Sequence, residues 1–445
     1  MSDTHAQTVA FVRHTEIPPA PPPAGQAGAV KWMRENLFSG PFNTVMTLLG
    51  VYIIYSLIVG IFPWIANSVW GVDNIRACRE VTQGNGGACF AVIEQRWQQL
   101  LFGFEYPSTE YWRPTTAFVL LFVAVAPVLF LNLPRALLIF TGIYPFLAYW
   151  LIWGGIILIP ITAALGFIVG YFAFKRLEHN SFAIGLFGAV AAAVLTWWLT
   201  DFLIQPATRG VLFGTDPDGM LRGLLYQPEV ASRNMGGFML NMILGTVCVS
   251  LSLPIGIALA LGRQSHMPII KWICVIFIEF IRGVPLITLL FVANVVLAYF
   301  FPPETTIDLI LRVIIMITMF SSAYIAEVIR GGLAALPRGQ YEAADSLGLD
   351  YAQATRLIIM PQALKISIPG SVNVAVGLFK DTTLVSVISM FDLVGMIRGP
   401  ILSSTDWAGV YWELWAFAAA LFFVVCYGIS QYSQWLERKL QTGHR

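Results

Sequence analysis

The chain has 445 residues, of which 26 are Lys or Arg and 25 are Asp or Glu, giving a formal net charge of +1. Apolar residues make up 57% and charged residues only 11%, less than half the charged fraction of ordinary soluble domains. This composition excludes a soluble enzyme and a disordered protein, and the lack of a basic excess excludes a nucleic-acid binder. A mean hydropathy of +0.72 indicates that most of the surface faces a bilayer.

The chain begins with a polar, proline-rich segment, residues 1–40, which predicts a disordered cytoplasmic tail. The first membrane span is predicted at 43–65. Lys31 and Arg34 precede it, so the positive-inside rule places the N-terminus in the cytoplasm. A long polar loop, 66–114, follows this span and is therefore expected on the periplasmic side.

The periplasmic loop contains two cysteines, Cys78 and Cys89, with three glycines between them that allow a turn. In an oxidising compartment these two thiols are expected to form a disulfide. A metal pair is the alternative, but the loop contains no histidine. The other three cysteines lie inside apolar runs, where small buried hydrophobes are the ordinary interpretation.

Four more spans are predicted before residue 200, and together with the first span they form an N-terminal transmembrane extension, 41–199. Residues 136–174 carry no charged side chain and are too long for one helix across the hydrocarbon. We therefore divide this run at Gly154–Gly155 into a helical hairpin. The predicted spans are 115–131, 136–153, 155–174 and 181–199, followed by a polar periplasmic connector, 200–236.

The C-terminal part is predicted to contain a core of five spans, 237–437. Its second segment is a helix that ends at Arg282, where Gly283 and Pro285 break it before the next span. Basic residues in the last segment, 438–445, place the C-terminus in the cytoplasm. The fold is therefore predicted to be all-α and polytopic with ten spans, or eight if the 136–174 hairpin lies only at the interface. The core spans are 237–261, 285–301, 307–328, 366–391 and 410–432.

A polar cytoplasmic segment, 337–361, interrupts the core spans. It predicts two short helices around a glycine, because Gly348 suits a left-handed stop and Asp350 with Gln353 forms a capping-box pattern. Pro361 is expected to end the second helix. Ala343 and Ala344 give a face without bulk that another protein could approach closely. We call this segment the elbow and predict that it is a docking device.

The elbow resembles the EAA loop of permease subunits of ABC importers, on Glu342-Ala343-Ala344, Gly348, Ile358, Met360 and Pro361. Met360 stands where the family pattern has leucine, a swap that conserves volume. Further matches are the runs 278–285, 324–332 and 380–384, which are similar to the polar amino-acid uptake branch. The N-terminal extension resembles the larger permease subunits of general L-amino-acid importers of proteobacteria.

This resemblance implies a machine of several chains in the bacterial inner membrane. A second permease, identical or related, would complete the path for amino acids, and a periplasmic amino-acid-binding protein would deliver them. Two ABC ATPase subunits would dock on the elbow and bind ATP and Mg²⁺, since this chain has no phosphate-binding loop and no cofactor of its own. The expected coupling residues are Arg338, Glu342, Ala343, Ala344, Asp345, Gly348 and Pro361.

Charged and hydroxyl side chains within the ninth predicted span are candidates for a substrate path. Lys380 and Asp381 lie well inside the hydrocarbon, where charge is costly unless it is paired or faces water. They are either ligands for the two charges of an amino acid or a structural ion pair. Thr382, Ser386 and Ser389 are predicted to form one polar stripe along the helix. Helix-end ion pairs are expected between Glu327 and Arg330 and between Glu279 and Arg282.

Two functions from different classes fit these observations. The first is the permease of an ATP-driven importer, and the second is a stand-alone secondary carrier or channel, which would not need the elbow and would usually show an inverted repeat. A membrane enzyme is disfavoured because the sequence contains no catalytic triad or metal motif, so no metal site and no catalytic residue are predicted.

Overall fold

The computed structural model describes residues 28–82, 86–130, 132–179, 182–213, 226–296, 299 and 307–441. Their secondary structure is helical apart from one two-stranded ribbon. In that ribbon β1 (Gly155–Ile156) pairs antiparallel with β2 (Tyr226–Gln227). The all-α prediction is therefore confirmed.

The N-terminal half contains the predicted hairpin, because two consecutive glycines break the apolar run. Gly154 has φ +79° and Gly155 has φ +83°, a left-handed backbone that residues with a Cβ avoid. The eight helices are α1 (Gly28–Asn36), α2 (Pro41–Ala66), α3 (Ile75–Thr82), α4 (Ala91–Phe102), α5 (Trp112–Leu129), α6 (Leu137–Trp153), α7 (Leu158–Leu177) and α8 (Phe182–Phe213).

In the C-terminal half the predicted break after Arg282 is present, and the two helices around it meet at 103°. Pro285 lies between them, in the N-cap position of the second helix. A proline cannot continue the preceding helix. The helices are α9 (Gly237–Gln264), α10 (Pro268–Gly283), α11 (Leu286–Phe291), α12 (Leu309–Ala334), α13 (Arg338–Ser346), α14 (Tyr351–Ala354), α15 (Met360–Asp381), α16 (Leu393–Met396) and α17 (Tyr411–Gln441).

Short turns of tighter or wider helix connect or extend these elements. The tighter 3₁₀ turns are Ser108–Glu110, Ser232–Asn234 and Thr382–Ile388. The wider π turns are Val292–Val296, Thr355–Ile359 and Ile397–Ile401.

Several helices cross the predicted segment boundaries. The tail 1–40 contains α1, α8 continues fourteen residues past 199 into the predicted connector, and α17 extends through residue 441. Each of these helices extends beyond its apolar stretch, because helical hydrogen bonding does not require apolar side chains. Residues 1–27, 214–225 and 442–445 of the predicted tails and connector lie outside the described residues.

Within the described residues, seven helices are long and apolar enough to cross a membrane, or eight if the bent pair α10–α11 counts as one span. Two shorter apolar helices, Leu137–Trp153 and Ile184–Thr200, occupy the places of two further predicted spans. The seven long spans are Pro41–Ala66, Ser108–Leu129, Leu158–Leu177, Gly237–Gln264, Leu309–Ala334, Tyr351–Ile388 and Tyr411–Leu440.

The chain divides into two compact units. The first consists of Met1–Val69 and Arg79–Ala88 and contains α1 and α2. Within it, the Ala88 backbone N–H donates to the Trp64 carbonyl oxygen at 2.8 Å, and the Val69 N–H donates to the Ala88 carbonyl oxygen at 2.8 Å. These bonds hold the returning loop against the end of α2.

The second unit consists of Trp70–Cys78 and Cys89–Arg445. Its core lies where α9, α12 and α15 pack together, and the N-terminal helices α5 and α6 contribute to the same hydrophobic cluster. Gly256 allows α9 to approach α12, because a Cβ there would stand 2.6 Å from Cγ2 of Ile325. Small residues at helix contacts are typical of membrane bundles, where close backbone packing replaces the hydrophobic drive.

Arg113 fastens part of the N-terminal extension to the connector, and sequence reasoning missed it. Its side chain is fully buried at the start of α5. Its Nε donates to the Leu151 carbonyl at 2.8 Å, its Nη1 donates to the Pro228 carbonyl at 2.9 Å, and Glu110 lies 3.6 Å from it. A buried cation at the C-terminal end of α6 satisfies the Leu151 carbonyl, one of the last carbonyls of that helix.

The segments Trp70–Cys78 and Cys89–Phe102, which we call the cap, are stapled together by the Cys78–Cys89 disulfide, the pairing that the sequence predicts. The cap packs on the core of the second unit. The Cys89 N–H donates to Glu413 Oε1 at 2.9 Å, and the Ile75 N–H donates to the Asp406 carbonyl at 2.8 Å. The disulfide therefore holds the cap over the N-terminal end of α17.

Candidate functional site

The elbow has the two-helix form that the sequence predicts, α13 followed by α14. Gly348 has φ +70° at the end of α13. Its N–H donates to the Asp345 carbonyl at 2.9 Å, and the Leu349 N–H donates to the Ala344 carbonyl at 3.3 Å. These two bonds form a Schellman motif, which satisfies carbonyls at the helix end and fixes the direction in which the chain leaves.

The second helix of the elbow starts with a complete capping box. Asp350 Oδ1 accepts from the Gln353 N–H at 2.7 Å, and the Asp350 N–H donates to Gln353 Oε1 at 3.3 Å. Side-chain oxygens thereby satisfy two backbone N–H groups at the start of the helix. Both bends of the elbow are thus fixed by its own residues.

Pro361 does not end the second helix, so this prediction was wrong. The chain continues from α14 through the π turn Thr355–Ile359 into α15, where Pro361 lies in the first turn. A proline lacks the N–H that an α-helix would use, and a local widening of the helix accommodates the missing bond. The elbow is therefore rigidly continuous with a membrane span.

The two alanines of the elbow do not share one exposed face, which corrects the predicted docking face. Ala344 is fully buried within the chain, whereas Ala343 is exposed. Successive helical residues point about 100° apart, and Ala344 is the one of the pair that faces inward. Arg338, Glu342 and Asp345 are exposed on the remaining surface of α13.

The elbow also exposes large apolar side chains, which sequence reasoning missed. The exposed fractions are 40% for Tyr341, 72% for Leu347, 65% for Tyr351 and 64% for Leu357. Partial burial, and secondarily Tyr351, raises the pKa of the Tyr341 hydroxyl above its ordinary value of 10.0. We call these four residues the elbow patch. The detectable signal was the presence of large apolar residues in a segment that the sequence analysis treated as polar.

The elbow is tied to two spans at its base. Gln362 Nε2 of α15 donates to Gln340 Oε1 of α13 at 2.9 Å. Beside it, Gly332 of α12 lies so close to α15 that a Cβ would stand 2.6 Å from the Ala363 carbonyl oxygen. A displacement of α13 therefore acts directly on α12 and α15.

A group of five charged residues joins α9, α10 and α12. Glu327 is at its centre and accepts from Arg330 Nε at 2.9 Å, as the predicted helix-end pair requires. The predicted pair of Glu279 with Arg282 was wrong. Glu279 instead bonds Arg263 Nη1 at 2.8 Å, while Arg282 Nη1 lies 3.6 Å from Glu327. Sequence spacing could not reveal these partners, because they come from other helices.

The predicted substrate-path residues do not form one group. Lys380 is exposed and Asp381 is half-buried, and within the described part of the chain neither makes an ion pair. Adjacent helical residues face different directions, so the alternative of a structural pair was wrong. Their role as ligands for an amino acid stays a prediction.

The predicted hydroxyl stripe was also wrong, because the three residues do not lie along one α-helix. The α-helix ends at Asp381 and continues as a 3₁₀ turn, and Ser389 takes a left-handed backbone with φ 64°. The spacing of an α-helix therefore does not apply to these three hydroxyls. Thr382 is fully buried, while Ser386 is partly exposed and Ser389 is exposed. A path role for these three residues stays a prediction.

Thr382 belongs instead to a buried polar node with Asn241 and Asp392. Asn241 Nδ2 donates to Thr382 Oγ1 at 2.9 Å and to Asp392 Oδ2 at 3.1 Å. Asp392, which lies between two spans, also caps α16 by accepting from the Gly395 N–H at 2.9 Å. Burial raises the pKa of Asp392 from 3.8 to about 6, although the hydrogen bonds from Gly395 and Asn241 favour its ionised form. The node fixes the start of α9 against the chain that follows α15.

In the described ranges, no group of three or more His, Cys, Asp or Glu side chains is arranged to hold a metal ion. The described residues thus form packed helices from which the elbow, with its capped helix ends and partly apolar surface, projects. It can receive another protein and transmit its movement to spans.

Residues 252–442 match the family model described as "Binding-protein-dependent transport system inner membrane component". The matched range contains the whole elbow and the spans on both sides of it. The resemblance seen in the sequence is therefore confirmed.

Two curated relatives match over nearly the whole length. A glutamate/glutamine/aspartate/asparagine transport system permease protein, BztC of Rhodobacter capsulatus, is 49% identical over 100% of both chains. The inner membrane amino-acid ABC transporter permease protein YhdY of Escherichia coli is 35% identical over 96% of this chain and 97% of that protein. A solved chain titled "Crystal structure of an amino acid ABC transporter with histidines" is 32% identical, covering 46% of this chain and 92% of that one with a TM-score of 0.41.

Proposed function

This chain belongs to the amino-acid ABC transporter permeases, and from that premise we propose that it forms one half of a path completed by a second permease, either another copy or a related chain. Two ABC ATPase subunits bind the elbow from the cytoplasm, and a periplasmic binding protein delivers the amino acid. Both termini lie in the cytoplasm. Family membership favours this ATP-driven mode over a stand-alone secondary carrier.

The elbow is the observation that carries this proposal. It is capped at both bends, bonded to α15 through Gln340, and continuous with that span through a π turn. A rigid projection of this kind moves as one body with its spans. Closure of an ATPase dimer beneath it would therefore move α12 and α15 rather than bend a loop.

The elbow patch supplies the docking contacts in this proposal. Burying a fully exposed tyrosine or leucine stabilises a contact by about 1.5 to 3 kcal/mol, and exposed apolar side chains are otherwise unfavourable on a cytoplasmic surface. ATP and Mg²⁺ bind in the ATPase subunits. Arg338, Glu342 and Asp345 lie on the exposed surface of the same helix and form its polar rim.

We propose that the substrates are polar or acidic amino acids of the glutamate, glutamine, aspartate and asparagine class. The support is the 49% identity to the Rhodobacter protein over the full length of both chains. Competition for uptake in reconstituted vesicles tests this class. Uptake blocked by leucine or lysine but not by glutamate or glutamine would contradict it.

Docking is tested with the double substitution Leu347→Ser and Tyr351→Ser, which removes two exposed apolar side chains without opening a cavity. We expect co-purification of the ATPase subunits to fall about tenfold or more. Gly339→Ala is the matched control, because it changes the same helix at a position where a Cβ meets nothing within 4 Å. Undiminished co-purification in the double variant would contradict the docking role of the patch.

A further inference from the structure

A cavity of about 740 Å³ lies between the N-terminal helices α5 and α6 and the core helices α9 and α12. Its volume falls within the range of small-molecule sites, about 300 to 1,000 Å³. Along α9 it extends from Met242 to Leu251, which is roughly 14 Å at the rise of an α-helix. The dimensions suit a long, narrow ligand better than a compact one.

The body of this cavity is apolar, with residues such as Val125, Val247 and Ile314 on its walls. Exposed Ser250 and Leu251 line it on one side, so it is open laterally where the spans meet lipid. An apolar space that opens onto the bilayer favours a hydrocarbon chain over water.

One end of the cavity is polar and acidic. Asp308 and Ser232 line it, and Trp153 Nε1 donates to Ser232 Oγ at 2.9 Å. Tyr149 lies there as well, its ring stacked on that of Trp153 with the centroids 5.3 Å apart. Glu229 lies beside them, since the N–H of the next residue donates to the Trp153 carbonyl at 2.9 Å. Tyrosine and tryptophan mark the headgroup level of a bilayer, so this end lies where a lipid headgroup would be.

The charges at this end select among headgroups. Asp308 and Glu229 are both exposed carboxylates, which attract an ammonium and repel a purely anionic headgroup. Arg233, exposed one residue after Ser232, offers a cation for the phosphate of a zwitterion. We propose that this cavity is a binding site for one phospholipid with an ammonium headgroup, of the phosphatidylethanolamine type, with an acyl chain along α9 and the ammonium at Asp308 and Glu229.

The bound lipid fills a space to which both the N-terminal extension and the core contribute walls. The lipid therefore contacts both parts and contributes to the association of the extension with the core, across a space where their own side chains do not meet. This assignment does not depend on the proposed transport function, and its test does not use transport.

The acyl-chain site is tested on the full-length chain in mild detergent, incubated with equal amounts of dioleoyl phosphatidylethanolamine and dioleoyl phosphatidylglycerol and examined by native mass spectrometry. The wild type should retain one phosphatidylethanolamine. Ser250→Trp places an indole in the cavity and should reduce its retention about tenfold. Leu253→Trp, one turn away on the same helix and outside the cavity lining, should leave it unchanged. Equal retention in the two variants would overturn the site.

The headgroup assignment has its own variant, Asp308→Asn with Glu229→Gln. Asparagine caps a helix about as well as aspartate, so α12 keeps the N-cap that Asp308 provides while the charge is lost. We expect the preference for phosphatidylethanolamine over phosphatidylglycerol to disappear in this variant. A wild type that binds both lipids equally, or a variant that keeps the preference, would overturn the assignment.

Discussion

Gly348 sets the angle between the two helices of the elbow through its left-handed backbone. A Cβ at this position would meet nothing within 4 Å, so any cost of substitution is conformational and not steric. A residue with a Cβ pays roughly 1 to 2 kcal/mol in this region, valine more than most, whereas asparagine visits it readily.

We therefore predict that Gly348→Val disrupts coupling and that Gly348→Asn preserves it. The measurement is stimulation of ATP hydrolysis by loaded binding protein in reconstituted vesicles. Valine should abolish the stimulation while the protein still inserts, and asparagine should retain most of it. If both variants respond like the wild type, the angle of the elbow has no role in coupling.

Asp392 gives a prediction for pH. Because burial raises its pKa from 3.8 to about 6, the folded state binds this proton more tightly than the unfolded state. Its contribution to stability is fully present below about pH 4 and is lost as the pH rises through about 6. The expected loss is about 2 to 3 kcal/mol. The difference in melting temperature between wild type and Asp392→Asn should therefore change between about pH 4 and about pH 6. A difference that stays constant over this pH range would contradict the prediction.

At the scale of elements, the adjacent glycines Gly331 and Gly332 form a natural matched pair on α12. A Cβ on Gly331 meets nothing within 4 Å, whereas one on Gly332 would stand 2.2 Å from Ser367 Oγ and 2.6 Å from the Ala363 carbonyl. Both substitutions to alanine gain about 1 kcal/mol of helix propensity. Only the second forces α12 and α15 apart.

We predict that Gly331→Ala raises the melting temperature slightly and that Gly332→Ala lowers it, with a net loss of about 1 to 3 kcal/mol from overpacking. Transport should also fall in Gly332→Ala, since the base of the elbow lies at this contact. Equal melting temperatures would show that the two helices separate there without cost.

The stability of the cap is expected to depend on its disulfide. Closing a short loop through Cys78 and Cys89 stabilises by roughly 3 kcal/mol on the chain-entropy estimate. In Cys78→Ser with Cys89→Ser, we expect faster amide hydrogen exchange in α4 (Ala91–Phe102) and unchanged exchange in α12. Exchange in α4 equal to that of the wild type would mean that the bonds to Glu413 and Asp406 suffice.

Features of the elements that depend on neighbouring residues could be predicted from the sequence. Gly154–Gly155, Gly348 and the Asp350–Gln353 pair act on their own neighbours, so the hairpin and the caps of the elbow were predicted correctly. Pro361 was misjudged because a π turn, which the continuing span stabilises, accommodates it.

Other features depend on partners that are distant in the chain. Thr382 is buried and accepts a hydrogen bond from Asn241, which is far away in sequence. Arg113 likewise depends on carbonyls from two separate segments. No local pattern contains these contacts, so the sequence could not place Thr382 in the node or Arg113 against its carbonyls.

At the scale of the whole molecule, α5 and α6 of the N-terminal extension share a hydrophobic cluster with the permease core. Within the second unit, the cap and the cavity of about 740 Å³ are two further points where the extension meets that core, and Arg113 joins the extension to the connector. The helices α5 and α6 thus enlarge the bundle of the core, and the cap lies over the N-terminal end of α17. This arrangement would place the cap where a binding protein approaches.

We propose that this chain moves amino acids only when ATP is hydrolysed by subunits that act on its elbow. The most direct measurement is uptake of labelled glutamate or glutamine into proteoliposomes that contain this permease, its ATPase and its binding protein. We expect uptake with ATP and Mg²⁺ supplied to the ATPase side, none without them, and none in Gly348→Val. Uptake driven by an ion gradient alone, at the same rate with and without ATP, would contradict the account and favour a secondary carrier.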